Sequence, residues 1–369
     1  MRRPPLGWLR GLLPAAHGAS SAPGAKSGAG SDSAWPSSGP GRFRVLFCGE
    51  EFPWGYEFTR QALASDADIE VVRCRREEVA EHLQAADVAV PFMARLDAAM
   101  LARAHCLKLI LQYGVGLEGV DIAAATARRI WVSNIPSRGT GNALSCAEMA
   151  VYLILACLRS ANAMAASIRE RRIGAPLGRT LFGASVLVVG FGGIAQELVP
   201  RLKPFGCRLA AVRRSAWGDP ASAGAEALLD ERGAWGDLRR LAASADVIVL
   251  ACVQSEETRG LVGAELLAAC KPGVIVVNVS RGGLLDEAAA RASLDAGHLG
   301  GLGLDVQAGE PIDPGGWLAS HPCVVLTPHV AGVTELSYRT MAGVVAAEAR
   351  RARDGLPPSV ALNKVSREG

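Results

Sequence analysis

The chain has 369 residues, half of them hydrophobic and a fifth charged, enough for two domains of moderate size and too apolar for wholesale disorder. Its formal net charge of +3 is near balance, which argues against nucleic acid as the main partner. Nine cysteines are scattered without a C-x-x-C pair or a metal-type spacing to histidine, so neither a zinc site nor a disulfide framework is expected.

Residues 1–41 stand apart from the rest of the chain. Arg2, Arg3 and Arg10 come early, no acidic residue precedes Asp32, and Ser, Ala, Gly and Pro dominate. That composition predicts a transit peptide for a chloroplast or mitochondrion; a dispensable extension on a cytoplasmic protein is the alternative. From Arg44, strand and helix patterns alternate. Strands are predicted at 45–48, 69–74, 88–92, 107–112 and 131–134, with helical patterns between them, which implies a parallel sheet wrapped by helices. The turn Tyr113-Gly114-Val115-Gly116-Leu117 comes after a strand, at the carboxyl edge where such sheets bind ligands. Its glycines let backbone N–H groups approach an anion, or make a tight turn that binds nothing.

A polar hinge, Ser137–Gly141, leads into a helical run predicted from Asn142 to about Arg172. Its apolar middle, Met149 to Leu158, is too short to cross a bilayer and is expected to be a buried crossing or dimer helix. The stretch Ser185–Ala195, S-V-L-V-V-G-F-G-G-I-A, then organises the second half of the chain. A buried strand runs into Gly190-x-Gly192-x-x-Ala195, and a helical pattern comes next. Gly190 allows the tight turn, Gly192 lets a pyrophosphate reach the backbone, and Ala195 lets the helix pack on the strand. A helix N-terminus there would face the phosphates, so a dinucleotide site is predicted. At the end of the second strand, where an acid would bind the ribose of NAD, the chain reads Arg213-Arg214-Ser215. Two guanidiniums and a hydroxyl suit the 2′-phosphate of NADP, which is favoured over NAD; a solvated basic turn is the alternative. Further strands are predicted at 247–252, 273–278, 301–306 and 324–327. Arg281, Glu310 and His329 each stand directly after one of the last three, gathered at one sheet edge.

These pieces together resemble the D-isomer-specific 2-hydroxyacid dehydrogenase family. The matching stretches are Tyr113–Asp121, Ser145–Met149, Gly178–Gly183, the Gly190 turn, Asn278–Gly283, Gly303–Val306 and Thr327–His329, and the resemblance covers about residues 44–363. It implies an α/β fold of two Rossmann-like or flavodoxin-like domains with parallel sheets and an active site in the cleft between them. Residues 42–140 with 333–369 would form the substrate-binding domain and 141–332 the dinucleotide-binding domain. It further implies that Arg281 grips the substrate carboxylate, that His329 is the general acid and that Glu310 orients the imidazole. Gly114, Val115 and Gly116 would offer backbone to the carboxylate. Gly193, Ile194, Val253, Thr258, Val279, Ser280, Asp305 and Gly332 would join Gly190, Gly192, Arg213, Arg214 and Ser215 around the cofactor. Glu310 itself points to 2-oxo acids, because a formate dehydrogenase of the family has Gln there.

Three departures mark this chain: Ala195 for the third glycine, Gln307 where an aromatic is usual, and Val253 where a proline is usual. The implied reaction is reduction of a small 2-oxo acid such as glyoxylate or hydroxypyruvate to the D-2-hydroxy acid. A homodimer is expected, with no metal, membrane or nucleic acid partner. The rival reading is a non-catalytic, dinucleotide-sensing co-regulator on the same fold.

Overall fold

The computed structural model describes residues 42–365; the expected leader, residues 1–41, lies outside them. Two sheets form among the described residues. The first contains β1 (Phe43–Cys48), β2 (Ile69–Cys74), β3 (Val88–Val90), β4 (Leu109–Gln112) and β5 (Trp131–Asn134), in the order β2-β1-β3-β4-β5. All its pairings are parallel, and the order is that of flavodoxin-like sheets.

The second sheet contains β6 (Ser185–Val189), β7 (Arg208–Arg213), β8 (Glu231–Ala234), β9 (Val247–Leu250), β10 (Val274–Asn278), β11 (Leu299–Leu304) and β12 (Val324–Leu326). Its order is β12-β11-β10-β9-β6-β7-β8, again parallel throughout. This is the doubly wound Rossmann order with one strand added at the β12 end. Successive residues of a strand point to opposite faces, so β6 feeds two cores at once. Val186 and Val188 face one with Val249 and Val277, while Leu187 and Val189 face the other with Ile248 and Val276. Burial on both faces is why these strands are unbroken aliphatic runs.

One expectation needs correction, and one strand has no counterpart among the expected ones. The helical run predicted from Asn142 to about Arg172 is two helices, Asn142–Leu158 and Ala161–Arg169, bent by 56°. The break falls at Ser160, whose φ of +52° is left-handed. It turns the chain so that Asn162 Nδ2 donates to the Val324 carbonyl at 2.7 Å, and that anchor outweighs the local helical pattern. β8 was not predicted, because Glu-Arg-Gly-Ala at a sheet edge carries no apolar run. No single helix among the described residues is long and apolar enough to cross a membrane. Leu153 and Ile154 of the first helix are buried against the β6–β11 layer.

The last long helix, Glu335–Arg353, returns to the first sheet. Thr334 caps it by accepting the Ser337 N–H, Met341 and Val345 enter the core beside Phe47, and Arg350 pairs with Asp66 at 2.8 Å. The chain then runs along β5, where Leu362 N–H donates to the Val132 carbonyl and Asn363 Oδ1 accepts the Val132 N–H. That edge strand is thereby covered.

Candidate active site

Every strand of both sheets runs the same way within its sheet, so the loops after β10, β11 and β12 emerge at one edge. His329 comes after β12 and Glu310 after β11. Their side chains meet, with His329 Nδ1 to Glu310 Oε2 at 2.7 Å. A carboxylate acceptor requires the imidazole proton on Nδ1, which leaves Nε2 to address a ligand. The other Glu310 oxygen accepts the Gln307 N–H at 3.0 Å, fixing the carboxylate at both ends. Burial pushes the Glu310 carboxyl upward. The His329 hydrogen bond and charge, the Gln307 N–H and the Arg281 charge outweigh it, holding Glu310 below its ordinary value and ionised.

The His329 loop is itself held by a buried acid. Asp305, at the end of β11, accepts the Thr327 hydroxyl at 2.6 Å and the N–H groups of Val330 and Ala331 at 2.9 Å each. Asp305 therefore spends both oxygens on this loop. His329 sits there with a φ of +53°. From the first sheet, the Phe52 ring meets the imidazole edge-on, with centroids 5.7 Å apart.

Arg281 is positioned by a second interlocked turn. Asn278 is fully buried; its Nδ2 donates to the Arg281 carbonyl at 2.8 Å and its Oδ1 accepts the Ser280 N–H at 3.0 Å. A Cβ at Gly282 would collide with the Gln307 carbonyl, so only glycine lets the Arg281 and Glu310 loops pass this closely. The guanidinium donates from Nη1 to the Ser280 carbonyl and from Nε to Glu118 of the first sheet. Nη2 lies over Gly116, where a Cβ would strike it. The predicted anion turn, Gly114-Val115-Gly116, and Arg281 are thus brought together.

The Gly-rich turn has the shape a dinucleotide needs. Gly190 adopts a φ of +92°, and a Cβ there would come within 2.7 Å of Cys252 Cα. A Cβ on Gly192 would enter open space, the space a phosphate would take, and Gly192 is the N-cap of helix Gly193–Leu202, which has no side-chain cap. Its orphan N–H groups and dipole fit an anion there. Gly193 and Ala195 serve packing: a Cβ on Gly193 would press on Ser137 Oγ, and Ala195 is fully buried. Ile194 is partly buried against the core beside them.

The remaining predicted cofactor residues divide. Val253 is exposed after β9. Thr258 is buried with its hydroxyl donating to the Val253 carbonyl and accepting the Ser255 N–H, so it shapes that loop. Ser280 bonds the Cys252 carbonyl, Val279 lies in the core, and Gly332 packs against Asn142. The side chains of Thr258, Ser280 and Val279 are thus spent on the protein's own loops and core. At the end of β7, Arg213 donates to Ser215 Oγ at 2.8 Å and to the buried Glu226 at 3.2 Å, 5.2 Å from the Trp217 ring. The Ser222 hydroxyl, working against burial and helped by Gly218 N–H and Arg213, keeps the Glu226 carboxyl below its usual range. Arg214 is exposed and pairs with the exposed Glu257. Of the two arginines predicted for a 2′-phosphate, one is already engaged by a buried acid.

Sequence reasoning missed Glu118, Phe52 and Glu226. Glu118 stands inside one of the matching motifs as a charge in a Gly-rich turn, which was the available signal; nothing local marks the other two. Among the described residues no group of three or more His, Cys, Asp or Glu is placed to hold a metal ion.

A Rossmann-ordered sheet with a Gly-rich turn at a helix N-terminus, joined to a second α/β unit and carrying an Arg, an acid and a His at one edge, has the architecture of a two-unit dinucleotide-binding protein. Residues 151–331 match the NAD-binding domain of D-isomer-specific 2-hydroxyacid dehydrogenases, and the chain belongs to that family. It is 40% identical over 261 residues to D-3-phosphoglycerate dehydrogenase of Mycobacterium tuberculosis, covering 69% of this chain and 47% of that one. It thus spans about half the length of such relatives. It is 35% identical over 260 residues to (S)-sulfolactate dehydrogenase of Chromohalobacter salexigens, covering 70% of this chain and 81% of that one. A crystal structure from Thermus thermophilus superposes with a TM-score of 0.74 at 30% identity, over 87% of this chain and all of the other.

Proposed function

We propose that the protein reversibly reduces a small 2-oxo acid to its D-2-hydroxy acid with a nicotinamide dinucleotide. The observation that carries this reading is the 2.7 Å contact of His329 with Glu310, set at the same edge as Arg281 and the Gly114–Gly116 turn. When bound, the cofactor supplies or accepts the hydride at C2 of the substrate. Arg281 and the N–H groups of Val115 and Gly116 bind the substrate carboxylate and turn the carbonyl toward His329. Protonated His329 donates from Nε2 to the carbonyl oxygen as C2 gains hydride, leaving a hydroxyl and a neutral imidazole that regains its proton from solvent. Glu310 steadies the imidazolium, and Asp305 holds the loop that carries it.

Acids the size of glyoxylate and hydroxypyruvate are the proposed substrates. NADPH is the favoured cofactor, its 2′-phosphate taking Arg214 from the exposed Glu257 and accepting the Ser215 hydroxyl; Glu226 beside Arg213 keeps that preference modest. Residues 42–140 with 333–369 act as the substrate-binding unit and 141–332 as the cofactor unit. A homodimer is supported by the exposed Tyr152, Ile168, Ile173, Leu177 and Phe182, an apolar set concentrated on one part of the chain. An organelle destination rests on the N-terminal composition alone.

The test is nicotinamide absorbance with the full-length protein, either reduced cofactor and a panel of 2-oxo acids. Oxidation with one acid, faster with NADPH, is the expected result. Silence across the panel with tight cofactor binding would refute the reaction and favour a binding role. Light scattering should give twice the chain mass.

A further inference from the structure

Arg281 does not stand empty in front of the anion turn. Its Nη1 is committed to the Ser280 carbonyl at 2.8 Å and its Nε to Glu118 Oε1 at 3.2 Å. A Cβ placed on Gly116 would strike both Arg281 Nη2 and the second Glu118 oxygen. The carboxylate of Glu118 and the guanidinium therefore converge on the same backbone. Among the described residues the N–H groups of Val115 and Gly116 donate to no backbone carbonyl, while the Val115 carbonyl is steadied by Asn134 Nδ2 at 2.9 Å. A cation and undirected N–H groups at one turn are the elements of an anion site, and the Glu118 carboxylate lies beside them on Arg281.

We infer that Glu118 is an internal occupant of the substrate-carboxylate site, a built-in competing anion that an incoming acid must displace from Arg281. The inference rests on the dehydrogenase reading for the identity of the acid, but the site itself needs only an anion. Two carboxylates cannot share this face of one guanidinium without repulsion. Glu118 comes from the loop after β4 and Arg281 from the loop after β10, so displacement also breaks a bond between the two sheets. The ion pair is half-exposed, 34% for Arg281 and 48% for Glu118. Solvent therefore screens it, and the competition weakens binding about three- to tenfold rather than by orders of magnitude. Glu118 acts on affinity and not on the hydride or proton step, since neither involves it.

Full-length wild type, Glu118→Gln and Glu118→Ala test this. For the acid that turns over, Glu118→Gln should lower KM about three- to tenfold with kcat changed less than about twofold. Oxalate, added to the protein with reduced dinucleotide and read by nicotinamide fluorescence, should bind tighter by the same factor, and Glu118→Ala should match. A raised KM with lowered kcat in both variants would overturn the inference, because it would mean Glu118 aims Arg281. Unchanged KM and unchanged oxalate binding would also overturn it. If no acid turns over but oxalate binds tighter to Glu118→Gln, the competing anion stands and the dehydrogenase reading falls.

Discussion

Replacing Glu310 by Gln isolates the charge of the acid that holds His329. The contact is 2.7 Å, the short end of charge-assisted N–H to carboxylate bonds. Both side chains are largely shielded, with exposures of 17% for Glu310 and 30% for His329. Gln keeps an acceptor at about the same place and removes the charge. Hydrogen bonds to charged groups contribute about 1.5–3 kcal/mol against about 0.5–1.5 for neutral ones, so the loss is about 1–2 kcal/mol. At about 1.36 kcal/mol per tenfold, that is about five- to thirtyfold in kcat/KM. Steady-state kinetics at neutral pH checks it, and a variant within about twofold of wild type would refute the role given to Glu310. Thermal melts add a second reading. Because the folded carboxyl lies below its ordinary value, its stabilisation is fully present above the unfolded value of about 4.3 and is lost as pH falls through the folded one. The melting difference between wild type and Glu310→Gln should therefore shrink below about pH 4.3. A difference constant from neutral to acid pH would contradict the linkage.

Gly282→Ala places a methyl on the Gln307 carbonyl; overpacking against backbone should cost about 1–3 kcal/mol or more and raise KM at least about tenfold as the Arg281 turn shifts. Urea midpoints and KM measure this, and a variant with wild-type values for both would refute the interlock. Asp305→Asn leaves at least one N–H of the His329 loop without its carboxylate, a loss of about 1.5–3 kcal/mol. It should lower kcat by about one to two decades, while cofactor binding read by fluorescence stays near wild type. Arg214→Ala removes an exposed cation whose ion pair is with exposed Glu257. It should raise KM for NADPH by about tenfold and leave NADH unchanged, and an unaltered ratio would reject the 2′-phosphate role.

Much of the fold is legible in the order of residues. The apolar runs at 45–48, 186–189, 247–250 and 274–277 belong to strands buried on both faces, where burial leaves the chain little choice of residue. Gly190, Gly192 and Ala195 mark the Gly-rich turn because each answers to a local steric demand. Arg281, Glu310 and His329 could be singled out because each comes after a strand, and parallel strands put their outgoing loops on one edge. Other features have no local trace. β8 gains its strand pairing from the edge of β7, and past the break at Ser160 the chain is tied to β12 by Asn162. The pairings around the candidate site are not local: Glu118 with Arg281 is 163 residues apart, Phe52 from the loop after β1 meets His329 from the loop after β12, and Glu226 pairs with an Arg213 that looked free for phosphate. Sequence determined which elements form and which side chains stand at the edge, because propensity, burial and turn geometry are local constraints. Which charges face one another was decided by tertiary structure, because an ion pair depends on distances that only the packing of two sheets sets.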